Sequence, residues 1–192
     1  MIERDVKGMQ KEKYPEKIKT GKIKRIIITG AESTGKSTLA KQLSEYYQTV
    51  YMPEYARTYI ENLNRKYIYR DVEHIAEMQI RFEEAFLQKA KKYLFIDTGL
   101  IITKVWFLEV FNKYPDWLDE AILKYLPDFY LICDIDLPWK EDPVRENGTF
   151  ERRKYLTDKY LAEIEKYKVK YAMIRGSGAQ RLQNAIKQID KL

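Results

Sequence analysis

The chain has 192 residues, 33% of them charged and 45% hydrophobic, with a net charge of +6 and one cysteine, Cys133. That length accommodates one domain with a substantial core, and no apolar run approaches the roughly 18–20 residues of a bilayer-spanning helix. A lone cysteine excludes an intrachain disulfide and cannot by itself build a zinc site. The first 25 residues lack the apolar stretch of a secretory signal, so a cytoplasmic setting is expected.

Residues 1–25 hold nine Lys/Arg against four acids, which concentrates the basic excess there and leaves the remainder close to neutral. A basic arm over residues 1–24, ahead of one domain over 25–192, is read as solvated rather than as a nucleic-acid contact. Arg25–Thr29 is a β-branched run without polar alternation, as in a parallel strand buried on both faces. The stretch GAESTGKST (30–38) follows at once, and Lys36–Tyr46 then places Leu39, Leu43 and Tyr46 at helical spacing. Thr49–Met52 reads as a second strand, ending at Pro53-Glu54. Asp71 is the expected cap of a long amphipathic helix reaching about Lys91, with Ile75, Met78, Phe82 and Phe86 inward. Tyr93–Ile96 is a third strand closed by Asp97, and helices are expected over Ile101–Phe111 and Asp116–Tyr125. Phe129–Cys133 and Val169–Ile174 are the fourth and fifth strands. The polar segment 138–153, with two prolines and Gly148, reads as a mobile loop, and helices over about 153–167 and 178–191 complete the pattern. Such alternation predicts an α/β fold: a mainly parallel five-stranded sheet flanked by helices.

Gly30-Ala31-Glu32-Ser33-Thr34-Gly35-Lys36-Ser37 fits the P-loop pattern G-x-x-x-x-G-K-[ST] without a gap, and with Thr38 it makes up the expected nucleotide-binding set. Its glycines let the backbone curl so that successive N–H groups aim at phosphate oxygens, reinforced by the positive end of the helix. The Lys36 amine would reach the β- and γ-phosphates, and the Ser37 hydroxyl would ligate Mg²⁺. ATP and Mg²⁺ are therefore the expected cofactors, in a P-loop NTPase or nucleoside-kinase-like fold with a lid loop. A GTPase would carry N-K-x-D, which is missing, and Asp97-Thr98-Gly99 lacks the D-x-x-G spacing of a switch. A motor or AAA-type ATPase would set Glu beside the strand-end Asp, where Thr98 stands. Small size and an arginine-bearing polar loop after the fourth strand are the plan of a small-molecule kinase, whose lid excludes water and brings cations to the transferring phosphate.

Asp97 closes a strand whose C-terminus faces the ligand in this fold, so it would serve the Mg²⁺ shell or the acceptor hydroxyl rather than cap the next helix. Glu54 could accept the proton of an attacking hydroxyl, with Arg57 one turn on; the alternative is a Glu54–Arg57 surface pair. Phosphoryl transfer asks little base strength, so positioning matters more than a shifted pKa. Among Arg145, Arg152 and Arg153, Arg145 is the chosen phosphate clamp, with Asp142 near it. His74 has no partner cluster and reads as packing or solvent, and Cys133 as an inert core thiol.

Together with the socket, PEYARTYI, DVEHIAEMQIRFEEA with Gln79, FIDTGLIITKVWF and LPWKEDPVR make the chain resemble a known family from about Lys24 to Leu192. It resembles the ribosylnicotinamide kinase domain of the bacterial bifunctional NAD-biosynthesis regulators and their stand-alone relatives. The resemblance implies ATP- and Mg²⁺-dependent phosphorylation of the 5′-hydroxyl of nicotinamide riboside to nicotinamide mononucleotide, in NAD salvage. It also implies that Lys36 and Ser37 hold ATP and Mg²⁺, that Glu54, Asp97 and Trp139 line the riboside pocket, and that Arg145 belongs to the lid. The ring of that riboside is a pyridinium cation, which a tryptophan face such as that of Trp139 would attract. The chain departs from the family's usual D-T-D at Gly99 and from its D-D-G-L-R at Pro143. Two other readings stay open: a kinase of another nucleoside or small alcohol, and a non-enzymatic ATP-binding switch. A membrane partner is not expected. Homo-oligomerisation is left open, as is which of Glu54 and Asp97 acts as base.

Overall fold

The computed structural model describes residues 23–139 and 148–192. In chain order these form β1 (Lys24–Thr29), α1 (Lys36–Tyr46), β2 (Tyr51–Met52), α2 (Tyr55–Glu61), α3 (Tyr69–Leu87) and β3 (Tyr93–Asp97). There follow α4 (Leu100–Phe111), α5 (Trp117–Lys124), β4 (Phe129–Cys133), α6 (Phe150–Lys166), β5 (Tyr171–Ile174) and α7 (Gly178–Ile189). β1 is the middle strand, hydrogen-bonded to β3 on one edge and β4 on the other, and every residue from Arg25 to Thr29 is buried. A strand covered on both faces has no solvent side to mark with polar residues, hence RIIIT. The strand order is β2-β3-β1-β4-β5, with all pairings parallel.

The pleat sends alternate residues to opposite faces. Ile26 and Ile28 join Leu39 and Leu43 of α1 and Ala185 and Ile189 of α7 in one core. Ile27 faces the other way, into a core with Val72 of α3, Phe107 of α4, Ile122 of α5 and Ile164 of α6. From β1 the chain passes to the edge strand β2, returns to β3 beside β1, and then crosses to β4 and β5 on the other side. The crevice beyond the C-terminal ends of β1, β3 and β4 is thus the topological switch point, where ligands bind in such sheets. No helix among the described residues is long and apolar enough to cross a membrane.

Several expected boundaries move, each for a local reason. β2 is shorter than Thr49–Met52 because the Thr49 amide is taken by the Ser44 carbonyl at 2.9 Å, while its hydroxyl donates to the Tyr93 carbonyl at 2.7 Å and accepts from the Lys91 amide at 3.1 Å. α3 begins two residues before Asp71, whose carboxylate reaches back to the Ile68 amide at 2.7 Å; it is the third helical residue, not the cap. The fully buried side of α3 is Val72, Ile75, Ala76, Gln79, Glu83 and Leu87, with Met78, Phe82 and Phe86 only partly covered. On α1, Tyr46 is 55% exposed and the neighbouring Tyr47 packs inward, edge-on to Tyr93 at 4.9 Å. α6 starts at Phe150 because Thr149 caps it, accepting from the Arg152 amide at 3.2 Å. α3 and α7 end earlier than expected, at Leu87 and Ile189, and β5 begins at Tyr171. The seven-residue α2 was not expected at all; none of its residues is buried. The proposed arm lies outside the described residues up to position 22, as does the loop segment 140–147.

Candidate active site

The P-loop leaves β1 at Gly30, where φ is +145° and a Cβ would stand 2.5 Å from the Cys133 carbonyl oxygen. Only glycine lets the loop pass this close to β4. Ser33 and Gly35 then take left-handed backbone angles, φ 57° and 77°, which curl the loop into a nest of N–H groups ahead of α1. The loop is fastened from inside by Thr34, whose hydroxyl donates to the Ala31 carbonyl at 2.8 Å, and by the Lys36 amine, which donates to the same carbonyl at 3.1 Å. It is fastened from behind by the buried Arg181 of α7. Its guanidinium donates to the Thr34 carbonyl at 3.0 Å and the Gly176 carbonyl at 2.7 Å, and pairs with Asp136.

A cleft of about 560 Å³ opens above this loop. Gly30, Glu32, Ser33, Thr34, Gly35, Lys36, Ser37 and Thr38 all line it, with Glu54 and Asp97; Ala31 is buried beneath. Asp97 is 1% exposed. Burial raises its pKa, and the Lys36 charge, hydrogen bonds from the Ser37 and Thr98 side chains and the Arg57 charge oppose that rise without cancelling it. One of its oxygens, Oδ1, is buried with no hydrogen-bond partner among the described residues. A carboxylate oxygen in want of a positive partner, beside a serine hydroxyl, fits the hard-oxygen donor set of Mg²⁺, which takes only one or two protein ligands and completes its shell with phosphates and water. Among the described residues no group of three or more acidic, histidine or cysteine side chains is placed to hold a metal ion.

The residue after Asp97 is strained. Thr98 has φ 70°, a left-handed angle that a β-branched side chain rarely accepts. Two hydrogen bonds hold it: its amide donates to the Ile28 carbonyl at 3.0 Å, and its carbonyl accepts from Gln79 Nε2 at 2.6 Å. Gln79, only 6% exposed, is itself fixed by the Thr103 hydroxyl, which donates to its Oε1 at 3.1 Å. At Gly99 a Cβ would lie 2.4 Å from Ile27 Cδ1, so any side chain there would force the Ile27 side chain to shift.

Beyond Asp97 the cleft runs between helices. One face of α4, including Ile102, Val105, Trp106 and Glu109, forms one wall, with Tyr67 edge-on to Trp106 at 5.1 Å. Arg152, Leu156 and Tyr160 of α6 form another, and Tyr55 and Arg57 of α2 a third. Arg152 pairs with Glu109 at 3.0 Å, and the Tyr155 hydroxyl donates to the same carboxylate at 3.0 Å. Burial raises the pKa of the Tyr160 phenol, as do the Glu54 and Glu32 carboxylates, so it stays protonated.

A family model described as AAA domain matches residues 25–181. The chain belongs to the AAA domain family. It is 25% identical over 167 residues to the trifunctional NAD biosynthesis/regulator protein NadR of Escherichia coli (strain K12), covering 85% of this chain and 41% of that protein. The chain therefore spans well under half the length of this curated relative. Among solved structures, a NadR protein in complex with NR superposes with a TM-score of 0.72 at 18% identity, covering 90% of this chain and 51% of that one. A NadR protein in complex with NAD and AMP-PNP gives 0.73 at 19%, covering 90% and 50%. These likenesses establish the P-loop kinase fold expected from the sequence. Thr98, where a motor or AAA-type ATPase would set Glu beside the strand-end Asp, does not keep this domain out of the family.

Within this AAA domain the remaining candidates fall in different places. Arg145 and Asp142 lie outside the described residues. Arg153 is buried and donates to the Leu137 carbonyl at 3.2 Å, so it anchors the segment after β4 and does not face the cleft. Trp139 is not among the cleft-lining residues; its ring lies on Gly148, where an added Cβ would stand 2.9 Å from the indole. Arg57 pairs with Glu61 at 2.8 Å. His74 packs among tyrosines, 3.3 Å from the Tyr55 hydroxyl. Cys133 is fully buried and burial pushes its thiol up to about 11, as befits an unreactive core cysteine. Sequence reading missed Arg181, Trp106 and Glu109, and gave Arg152 only as one of three alternatives. Trp106 and Glu109 were within reach, since with Ile102 they fall at helical spacing on the helix that follows the strand-end Asp97.

Proposed function

We propose that this chain is an ATP- and Mg²⁺-dependent kinase that phosphorylates the 5′-hydroxyl of nicotinamide riboside, giving nicotinamide mononucleotide. One observation carries the reading: a single cleft joins the phosphate socket, through Asp97, to an aromatic-walled chamber built by Tyr55, Tyr67, Trp106 and Tyr160. An ATP-binding switch has no need of such a chamber. The similarity to NadR proteins, one of them in complex with NR, here read as nicotinamide riboside, and another with the ATP analogue AMP-PNP, supports the choice of acceptor and donor.

In this reading the loop amides and Lys36 bind the triphosphate, with Ser37 and Asp97 holding Mg²⁺. When bound, that ion neutralises charge on the phosphates. Glu54, at the N-terminus of α2, would take the proton from the acceptor hydroxyl, and Asp97 would orient that hydroxyl toward the phosphoryl group. Arg145 remains the proposed lid cation. Trp139 remains a proposed contact for the pyridinium ring. The test is product formation: with MgATP the protein should convert nicotinamide riboside to the mononucleotide, and make little ADP when riboside is omitted. ADP release that no riboside, nucleoside or small alcohol accelerates would instead favour the switch.

A further inference from the structure

The riboside kinase reading leaves one feature of the cleft unassigned, the ion pair at its far end. Glu109 is nine residues into α4, about 13 Å along the axis from the helix start beside Asp97 at 1.5 Å per residue. A nucleoside whose 5′-hydroxyl meets Asp97 and Glu54 and which lies along this wall brings its base to Trp106, and its base substituent to Glu109 and Arg152. The two side chains have opposite hydrogen-bonding character. Ionised Glu109 only accepts and Arg152 only donates. Glu109 is 14% exposed and held on two sides, by Arg152 at 3.0 Å and by the Tyr155 hydroxyl at 3.0 Å, so its carboxylate cannot swing away. Each carboxylate oxygen has two acceptor sites and the guanidinium has five N–H donors, so both retain capacity for a ligand.

We propose that Glu109 and Arg152 read the ring substituent of the acceptor and select a carboxamide over a carboxylate. This rests on the riboside kinase reading above. A carboxamide presents an NH₂ donor and a carbonyl acceptor on one planar group, and the pair offers one acceptor and one donor to match. A carboxylate presents acceptors only. Arg152 would still bind it, but Glu109 would face it charge to charge, and such a repulsive element is what turns affinity into selectivity. The site therefore takes the amide form of a pyridine riboside and disfavours the acid form, although both carry the same pyridinium ring and the same 5′-hydroxyl.

The experiment compares kcat/KM for nicotinamide riboside and nicotinic acid riboside in the wild type, Glu109→Gln and Arg152→Gln, with a melting temperature for each protein. The wild type should favour the amide by about 10- to 100-fold, within the range a polar group in a site can enforce. Glu109→Gln offers an NH₂ to the acid, so it should narrow that ratio by about tenfold, chiefly through faster use of nicotinic acid riboside. Arg152→Gln should slow both substrates without narrowing the ratio. A pair that merely braces α4 against α6 would lower the melting temperature and leave the ratio alone, and an unchanged ratio in a folded Glu109→Gln protein overturns the proposal. Should that variant not fold, calorimetric binding of the two ribosides to the wild type decides: affinities within about threefold overturn it, and a clear amide preference upholds it. The two readings fail separately. A wild type that uses both ribosides equally removes only the carboxamide selection, whereas one that uses neither removes the riboside kinase reading and this proposal together.

Discussion

Replacing Gln79 by leucine isolates what keeps Asp97 in place. The substitution keeps a buried side chain of similar bulk, one atom shorter, but deletes two hydrogen bonds, the one donated to the Thr98 carbonyl at 2.6 Å and the one accepted from Thr103 at 3.1 Å. A buried hydrogen bond contributes about 1 kcal/mol net, and a stranded buried partner costs about 1–3 kcal/mol. The left-handed Thr98 stores a further strain of order 1–3 kcal/mol, which is released when its carbonyl is no longer held. Relaxation of Thr98 offsets part of the loss, so the net destabilisation should be about 2 kcal/mol. At roughly 2–4 °C per kcal/mol for a chain of this size, the melting temperature should fall by about 4–8 °C. Activity should suffer separately: a shifted Thr98 withdraws its side-chain hydrogen bond from Asp97, and turnover at saturating ATP and acceptor should drop by about tenfold. Thermal unfolding and steady-state kinetics on the same preparation read both quantities. A variant with unchanged melting temperature and unchanged turnover would mean that the Thr98 amide bond to Ile28 alone fixes the turn, and that Gln79 is filling.

Asp97→Asn should cut turnover on the order of a hundredfold or more, as when a charged group serving the transition state is removed. Yet it should raise the melting temperature at pH 7. Burial places the folded carboxyl's pKa above its unfolded value, so its ionisation weakens the fold progressively as pH rises above the ordinary carboxylate range. A stability loss in this variant would contradict the assignment. Gly99→Ala should destabilise by about 1–3 kcal/mol through its 2.4 Å encounter with Ile27 Cδ1, and Ile27→Val, which removes that atom, should recover part of the loss in denaturant titrations. Asp71→Ala should cost about 1 kcal/mol, as loss of a helix N-terminal acceptor does. Arg65, the Ile68 amide and the Tyr59 hydroxyl hold the Asp71 carboxyl below the usual range, so its contribution is present above pH 4 and fades as pH falls toward the folded pKa. Wild type and variant should converge in strong acid; a gap that persists there would refute the electrostatic part.

The parts of the fold that sequence made legible are those with a local cause. β1, α1 and β4 lie where apolar runs and the P-loop put them, because continuous burial and a fixed glycine-lysine spacing leave a linear trace. Lys36, Ser37, Glu54 and Asp97 converge on one cleft for the same reason: each sits at the C-terminal end of a strand or just beyond it. What stayed hidden depends on contacts between distant segments. α2 buries none of its residues and so carries no periodic signal. Asp71 looked like a cap because its carboxylate does cap, from three residues inside. Arg181 acts on Thr34 from 147 positions later, and Glu109 meets Arg152 across 43, spacings about which periodicity says nothing. Trp139 enters the pocket set only through the resemblance, and its ring has Gly148 as a neighbour.

The central position of β1 has a consequence for how this protein is made. Arg25 is hydrogen-bonded to Asp128, 103 residues later, and Gly30 abuts the backbone of Cys133. The phosphate socket is encoded early in the chain but cannot close until β4 has left the ribosome. At about 5–20 residues per second, an apolar strand with two open edges waits roughly 5–20 s for its second neighbour. Substitutions that weaken β4 should therefore appear first as lower soluble yield from cells, through capture of the waiting strand by other chains. Molecules that do complete the sheet would bind nucleotide normally.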